Sequence, residues 1–115
     1  MIKILRSFTF AWAGIKYCFL KEINFKCHCF FAVTAIILGI ALDISIVEWV
    51  AVILAIGFVV SLEIVNTVVE RICDVIHPEQ SSKIKIIKDM AAASVLVSAI
   101  ISFTIGAIIF LPKMF

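Results

Sequence analysis

The chain has 115 residues, of which 64% are hydrophobic and only 16% charged, against about 25% charged in an ordinary soluble domain. With a mean hydropathy of +1.24, so short a chain carries more apolar surface than one small core can enclose, and lipid is the expected solvent. A net charge of +2 is too small to point to nucleic acid.

One domain, residues 1–115, is all this length allows, and no linker or repeat interrupts it. Met1 to about Lys21 carries Leu5, Phe8, Trp12, Ile15 and Phe19 at steps of three and four, with Lys3, Arg6, Lys16 and Lys21 around them. That pattern predicts an amphipathic helix lying in the membrane surface over about 1–21. It has no small-residue cleavage site, so it is expected to stay in the mature protein. Cys27 to Leu42 has no formal charge and reads as a first spanning helix, about 27–43, short enough to need help from flanking residues. Cys18, Cys27, Cys29 and Cys73 lack the CxxC pairs of a zinc site and read as reduced apolar side chains.

Glu48 and Trp49, the latter an interfacial anchor by type, open a second span over about 47–69. Arg71 to Asp89 reads as a polar loop, broken at His77-Pro78 and basic at Lys83, Lys85 and Lys88. Met90 to Leu111 is a 22-residue apolar run closed by Pro112 and Lys113, a third span over about 90–111. The fold class is therefore an all-α membrane protein: a surface helix plus three transmembrane helices. Five of the ten basic residues precede the first span, four lie between the second and third, and one follows the third. The positive-inside rule then sets the N-terminus and the 71–89 segment in the cytoplasm, and the C-terminus outside.

Function has to come from polar groups where lipid makes them expensive. Glu63, Asn66, Glu70 and Asp74 fall within about an 80° arc of one helix, with Thr67 inside it. A charge near the bilayer centre costs on the order of 3 kcal/mol, and Glu63 is isolated among uncharged residues. Carboxylates set this close want a divalent cation, a shared proton or a basic partner. Magnesium, with its preference for carboxylate and phosphate oxygens, suits two of them beside ATP. Lys88 and Asp89 stand just before the third span, facing the stripe if the segment between folds back. There is no P-loop, glycine-rich kinase loop, Ser-His-Asp set or HExxH.

The run Glu63-Ile64-Val65-Asn66-Thr67-Val68-Val69-Glu70-Arg71-Ile72-Cys73-Asp74, followed by Lys88-Asp89-Met90-Ala91-Ala92, resembles the small bacterial integral-membrane diacylglycerol kinase and undecaprenol kinase family. Trp12-Ala13-Gly14-Ile15-Lys16 and Glu22-Ile23-Asn24-Phe25-Lys26 agree with it. The resemblance implies a homotrimer of the bacterial cytoplasmic membrane in which ATP, with Mg2+, phosphorylates a lipid hydroxyl at the cytoplasmic face. It implies Glu63 as catalytic base and Glu22 and Glu70 as magnesium ligands. Lys3, Phe10, Glu79, Lys88 and Asp89 would join the carboxylates around the nucleotide. Trp12, Asn66 and Asp74 would support the site. Phe10 stands where the family has Tyr, and His28 where the diacylglycerol kinase branch has an acid. The Asn24-Phe25-Lys26-Cys27-His28 run is instead similar to the undecaprenol kinase branch. Undecaprenol is the expected acceptor, with diacylglycerol the alternative.

Two other classes fit part of the pattern. A proton-coupled transporter would use Glu63 alone, and a passive assembly subunit would use small residues such as Ala91 to Ser94 and Ser98. Neither accounts for Glu70, Asp74 and Lys88-Asp89 together.

Overall fold

In the computed structural model, which describes residues 1–77, 79 and 81–115, four α-helices follow one another: α1 (Ile2–Lys21), α2 (Ile23–Ala41), α3 (Ile46–Ile76) and α4 (Ser82–Met114). The last three are long and apolar enough to cross a membrane. Lipid in place of water explains why the helices leave most of their large apolar side chains outward, Phe30, Phe58 and Phe103 among them.

Helix α1 touches the rest of the chain mainly through its last turns, where Cys18 is its one buried residue. It ends at Glu22, whose extended backbone (φ −113°, ψ 114°) is also the start of α2. A single residue therefore turns the surface helix into the first spanning one. Helix α2 begins four residues before the apolar run at Cys27, and at about 28 Å for 19 residues it has the length that run lacked.

The turn into α3 is built from local chemistry. Ile44 N–H donates to Gly39 O at 3.2 Å and Asp43 N–H to Ile40 O at 3.3 Å, with Asp43 left-handed at φ 49°. This is the paired bonding of a Schellman cap. Ser45 then starts α3 with a capping box, Glu48 N–H donating to Ser45 Oγ at 3.2 Å and Ser45 N–H to Glu48 Oε1 at 2.9 Å. Trp49, expected as an interfacial anchor, also packs inward: a Cβ on Gly39 would lie 2.7 Å from its indole. Ile44, Val52, Ile109 and Phe110 form the apolar core at this end, with Leu38 and Trp49 against them.

Helices α3 and α4 pair as a long antiparallel hairpin, fastened midway by Ser102 Oγ donating to Ala55 O at 3.3 Å. Both run past the apolar segments read from sequence. Most of the expected 71–89 loop is helix, because Arg71 and Asp74, and Lys85 and Asp89, sit at helical spacing and pair. Helix α3 stops at Ile76, capped by His77, and Ser81 Oγ accepts from Ile84 N–H to start α4. Pro78, expected to break the helix, lies outside the described residues. Pro112, expected to close the third span, sits inside the last turn of α4, where Lys113 Nζ comes 3.4 Å from Glu48.

Candidate active site

The second half of α3 carries its polar groups on the face turned toward the other helices. Glu63, Asn66 and Thr67 are buried, at 3%, 5% and 4% exposure. Thr67 spends its hydroxyl on Glu63 O at 3.0 Å, within its own helix. Glu63 Oε2 lies 3.5 Å from Nε2 of His28, which reaches across from α2. Asn66 Oδ1 is buried and has no hydrogen-bond partner. A buried polar atom left unpaired costs about 1–3 kcal/mol. Stability alone would not favour this arrangement.

Toward the end of α3 the stripe emerges from the apolar segment into an ion-pair chain. Arg71 Nη2 donates to Glu22 Oε1 at 2.5 Å, and its other terminal nitrogen lies 3.9 Å from Asp74. Lys88 Nζ, on α4, donates to Asp74 Oδ1 at 2.6 Å. Glu22 at the α1–α2 junction, two residues of α3 and one of α4 are thereby connected, and the Arg71 guanidinium also sits 5.8 Å over the Tyr17 ring of α1. Beyond the apolar run, the bond from Lys88 holds the Asp74 carboxyl below its ordinary pKa, and the same bond holds the Lys88 ammonium above its own. Each charge is thereby held over a wider pH range than that of a free side chain. Glu70, half-buried between Glu63 and Asp74, makes no ion pair among the described residues.

Glu79, Lys88 and Asp89 line one small cavity of about 160 Å³ together with Lys85, which bonds Asp89 at 2.7 Å. Thus Glu22, Glu63, Asn66, Glu70, Asp74 and Lys88 follow one line of polar groups, with Glu79 and Asp89 at its outer end. Lys3, Phe10 and Trp12 stand apart. Lys3 is in the first turn of α1 and Phe10 and Trp12 are near its middle, all exposed, Phe10 at 67% and Trp12 at 70%.

Sequence reasoning gave no role to Arg71 or His28. Arg71 had a visible signal, a helical step of three to Asp74. His28 had only its own presence in an uncharged apolar segment, since its partner lies 35 positions away on another helix.

The chain is matched over residues 9–110 by the family model described as prokaryotic diacylglycerol kinase. It is 39% identical to the undecaprenol kinase of Bacillus subtilis (strain 168), over 97% of this chain and 91% of that protein. A diacylglycerol kinase of Synechocystis sp. is 33% identical over 96% of this chain and 64% of its own length. The diacylglycerol kinase of Haemophilus influenzae is 30% identical over 93% of this chain and 92% of its own.

Proposed function

Because this chain belongs to the prokaryotic diacylglycerol kinase family, and is thereby a membrane lipid kinase with ATP as co-substrate, we propose that it transfers the γ-phosphate of Mg-ATP to undecaprenol. The observation that carries the chemistry is a carboxylate, Glu63, 3% exposed at the boundary between apolar helices and a charged helix end. The similarity to an undecaprenol kinase over nearly the whole chain carries the acceptor. Diacylglycerol is the second reading, favoured by the two diacylglycerol kinases matched at lower identity.

Phosphoryl transfer asks a protein for in-line positioning and for neutralised phosphate charge more than for covalent chemistry. Glu63 accepts the hydroxyl proton as the lipid oxygen attacks the γ-phosphorus. The new O–P bond forms as the bond to the β,γ-bridging oxygen breaks, and ADP leaves with that electron pair. Among the described residues no three carboxylate, imidazole or thiol ligands converge; Glu22 and Glu70 are the carboxylates that would hold magnesium, and the unpartnered Asn66 Oδ1 is a further hard oxygen on the helix face of Glu70. Magnesium, when bound, supplies charge neutralisation on the phosphates. Glu22 would exchange or share its Arg71 partner to take that part. Lys88, paired with Asp74, adds a point charge, with Glu79 and Asp89 beside the nucleotide.

We read residues 1–115 as one kinase domain of the bacterial cytoplasmic membrane, with the N-terminus and the α3–α4 connection in the cytoplasm and the C-terminus outside. A homotrimer is part of the same reading. It would give the exposed Lys3, Phe10 and Trp12 of α1 a neighbouring site to complete. The test is label transfer from γ-labelled ATP to undecaprenol and to diacylglycerol in bilayers of matched composition. Preferential labelling of undecaprenol is expected. Preferential labelling of diacylglycerol would reverse the assignment, and labelling of neither would remove it.

A further inference from the structure

His28 is the one polar contact that the Glu63 carboxylate makes with another helix among the described residues. The imidazole also stands at one end of an apolar cavity of about 400 Å³ between α2, α3 and α4. The cavity's other polar side chains, Thr34 and Ser102, have committed their hydroxyls to the Phe30 and Ala55 carbonyls. His28 is therefore the polar group that separates the hydrocarbon-lined space from Glu63. Such a group is costly in lipid unless it has a task.

We propose that His28 is a positioning residue for the phosphoryl-acceptor step, its Nε2 holding Glu63 Oε2 so that the second carboxylate oxygen stays free for the hydroxyl of the lipid alcohol. The inference rests on Glu63 being the base. Several physical points support it. A carboxylate on a single helix has two side-chain torsions beyond Cβ to fix, and its polar neighbour Asn66 belongs to that same helix, so His28 is what ties it to another one. The contact at 3.5 Å is longer than a good hydrogen bond. Such contacts at reacting groups commonly tighten when substrate arrives. With Nε2 carrying the hydrogen, the imidazole donates to the carboxylate and needs no charge of its own.

Glutamine and asparagine at position 28 separate positioning from packing, since both keep an amide but only glutamine carries it as far as Nε2. In bilayers containing undecaprenol, His28→Asn is expected to lower kcat about 10- to 100-fold, the loss seen when a partner that orients a metal-binding side chain is removed. His28→Gln should recover most of that loss, and KM for ATP should stay unchanged in both. In the His28→Asn, Glu63→Gln double variant the losses should not multiply, because the two residues act as one unit. Wild-type kcat in His28→Asn, equal losses in the two His28 variants, or multiplying losses in the double variant would overturn the role of His28 while leaving Glu63 as base. Full activity in Glu63→Gln alone would remove the base, and this inference with it.

Discussion

The two ends of α3 solve opposite problems with the same helix. At the Ile46 end the polar side chains of the cap are paired: the capping box joins Ser45 and Glu48, Lys113 lies 3.4 Å from Glu48, and Trp49 packs on Gly39. Around Glu63 the helix buries a carboxylate with one long contact to another helix and an amide oxygen with no hydrogen-bond partner. Burying unsatisfied polar groups is unfavourable, so this stretch is less stable than it could be. The better-packed end holds the hairpin while the other keeps its polar atoms available.

That contrast predicts opposite responses to mutation. The largest effect should come from Glu63→Gln, an isosteric change that removes the proton acceptor. Activity is expected to fall by about 10²- to 10⁴-fold, the usual contribution of a general base. The thermal unfolding midpoint in detergent should hold or rise, because the change replaces a buried ionisable group with a neutral one. A variant that kept its activity but unfolded early would invert the comparison.

Gly39→Ala tests the other end. Its Cβ would press on two atoms of the Trp49 ring at 2.7 and 2.9 Å and on Ile44 at 3.1 Å, all inside the packed core. Overpacking of this kind costs about 1–3 kcal/mol. The unfolding midpoint should drop while kcat, measured well below that temperature, stays at the wild-type value. The same alanine at Gly14 or Gly57, where nothing lies within 4 Å, gives the matched control.

Lys88→Met probes the charged helix end. It removes the donor that holds the Asp74 carboxyl below its ordinary pKa and the cation offered to phosphate. An increase in KM for ATP of about tenfold is expected, as for loss of one charge-assisted bond. The unfolding midpoint should hardly move, since an ion pair in water contributes little to stability. The sign for Asp74 is definite: without Lys88 its pKa rises toward the ordinary carboxylate value, so it protonates earlier as pH falls.

The legible part of this protein was the part written in local pattern. Apolar runs predicted three spanning helices, the first of them short, the 3.6-residue period predicted α1, and the polar stripe of α3 was visible as a sequence interval. Helix ends were read too short wherever charged residues pair along the helix, because Arg71 to Asp74 and Lys85 to Asp89 look like a loop by polarity and like a helix only by spacing. His28 to Glu63 and Arg71 to Glu22 were out of reach, because each joins positions 35 and 49 apart. No local signal encodes which residues of α2 face which residues of α3.

Asp43 is the smallest and most local case. It stands where the first span was read to end, at about position 43, and in the fold it is the left-handed residue of the Schellman cap, at φ 49°. Glycine is the residue most helices use there, because it lacks the Cβ that crowds the following carbonyl. Aspartate tolerates the conformation better than most side chains, so relief of strain should be modest, and glycine's extra freedom in the unfolded chain offsets part of it. Asp43→Gly is expected to raise stability by less than about 1 kcal/mol, and Asp43→Val, whose branched Cβ fits that conformation worst, to lower it by more. Neither should change kcat or KM, because the cap and Glu63 lie 20 residues apart in sequence, at opposite ends of the apolar part of the fold. If Asp43→Gly lowered activity while stability rose, the ends of α3 would be coupled, and the division of labour along the helix would have to be redrawn.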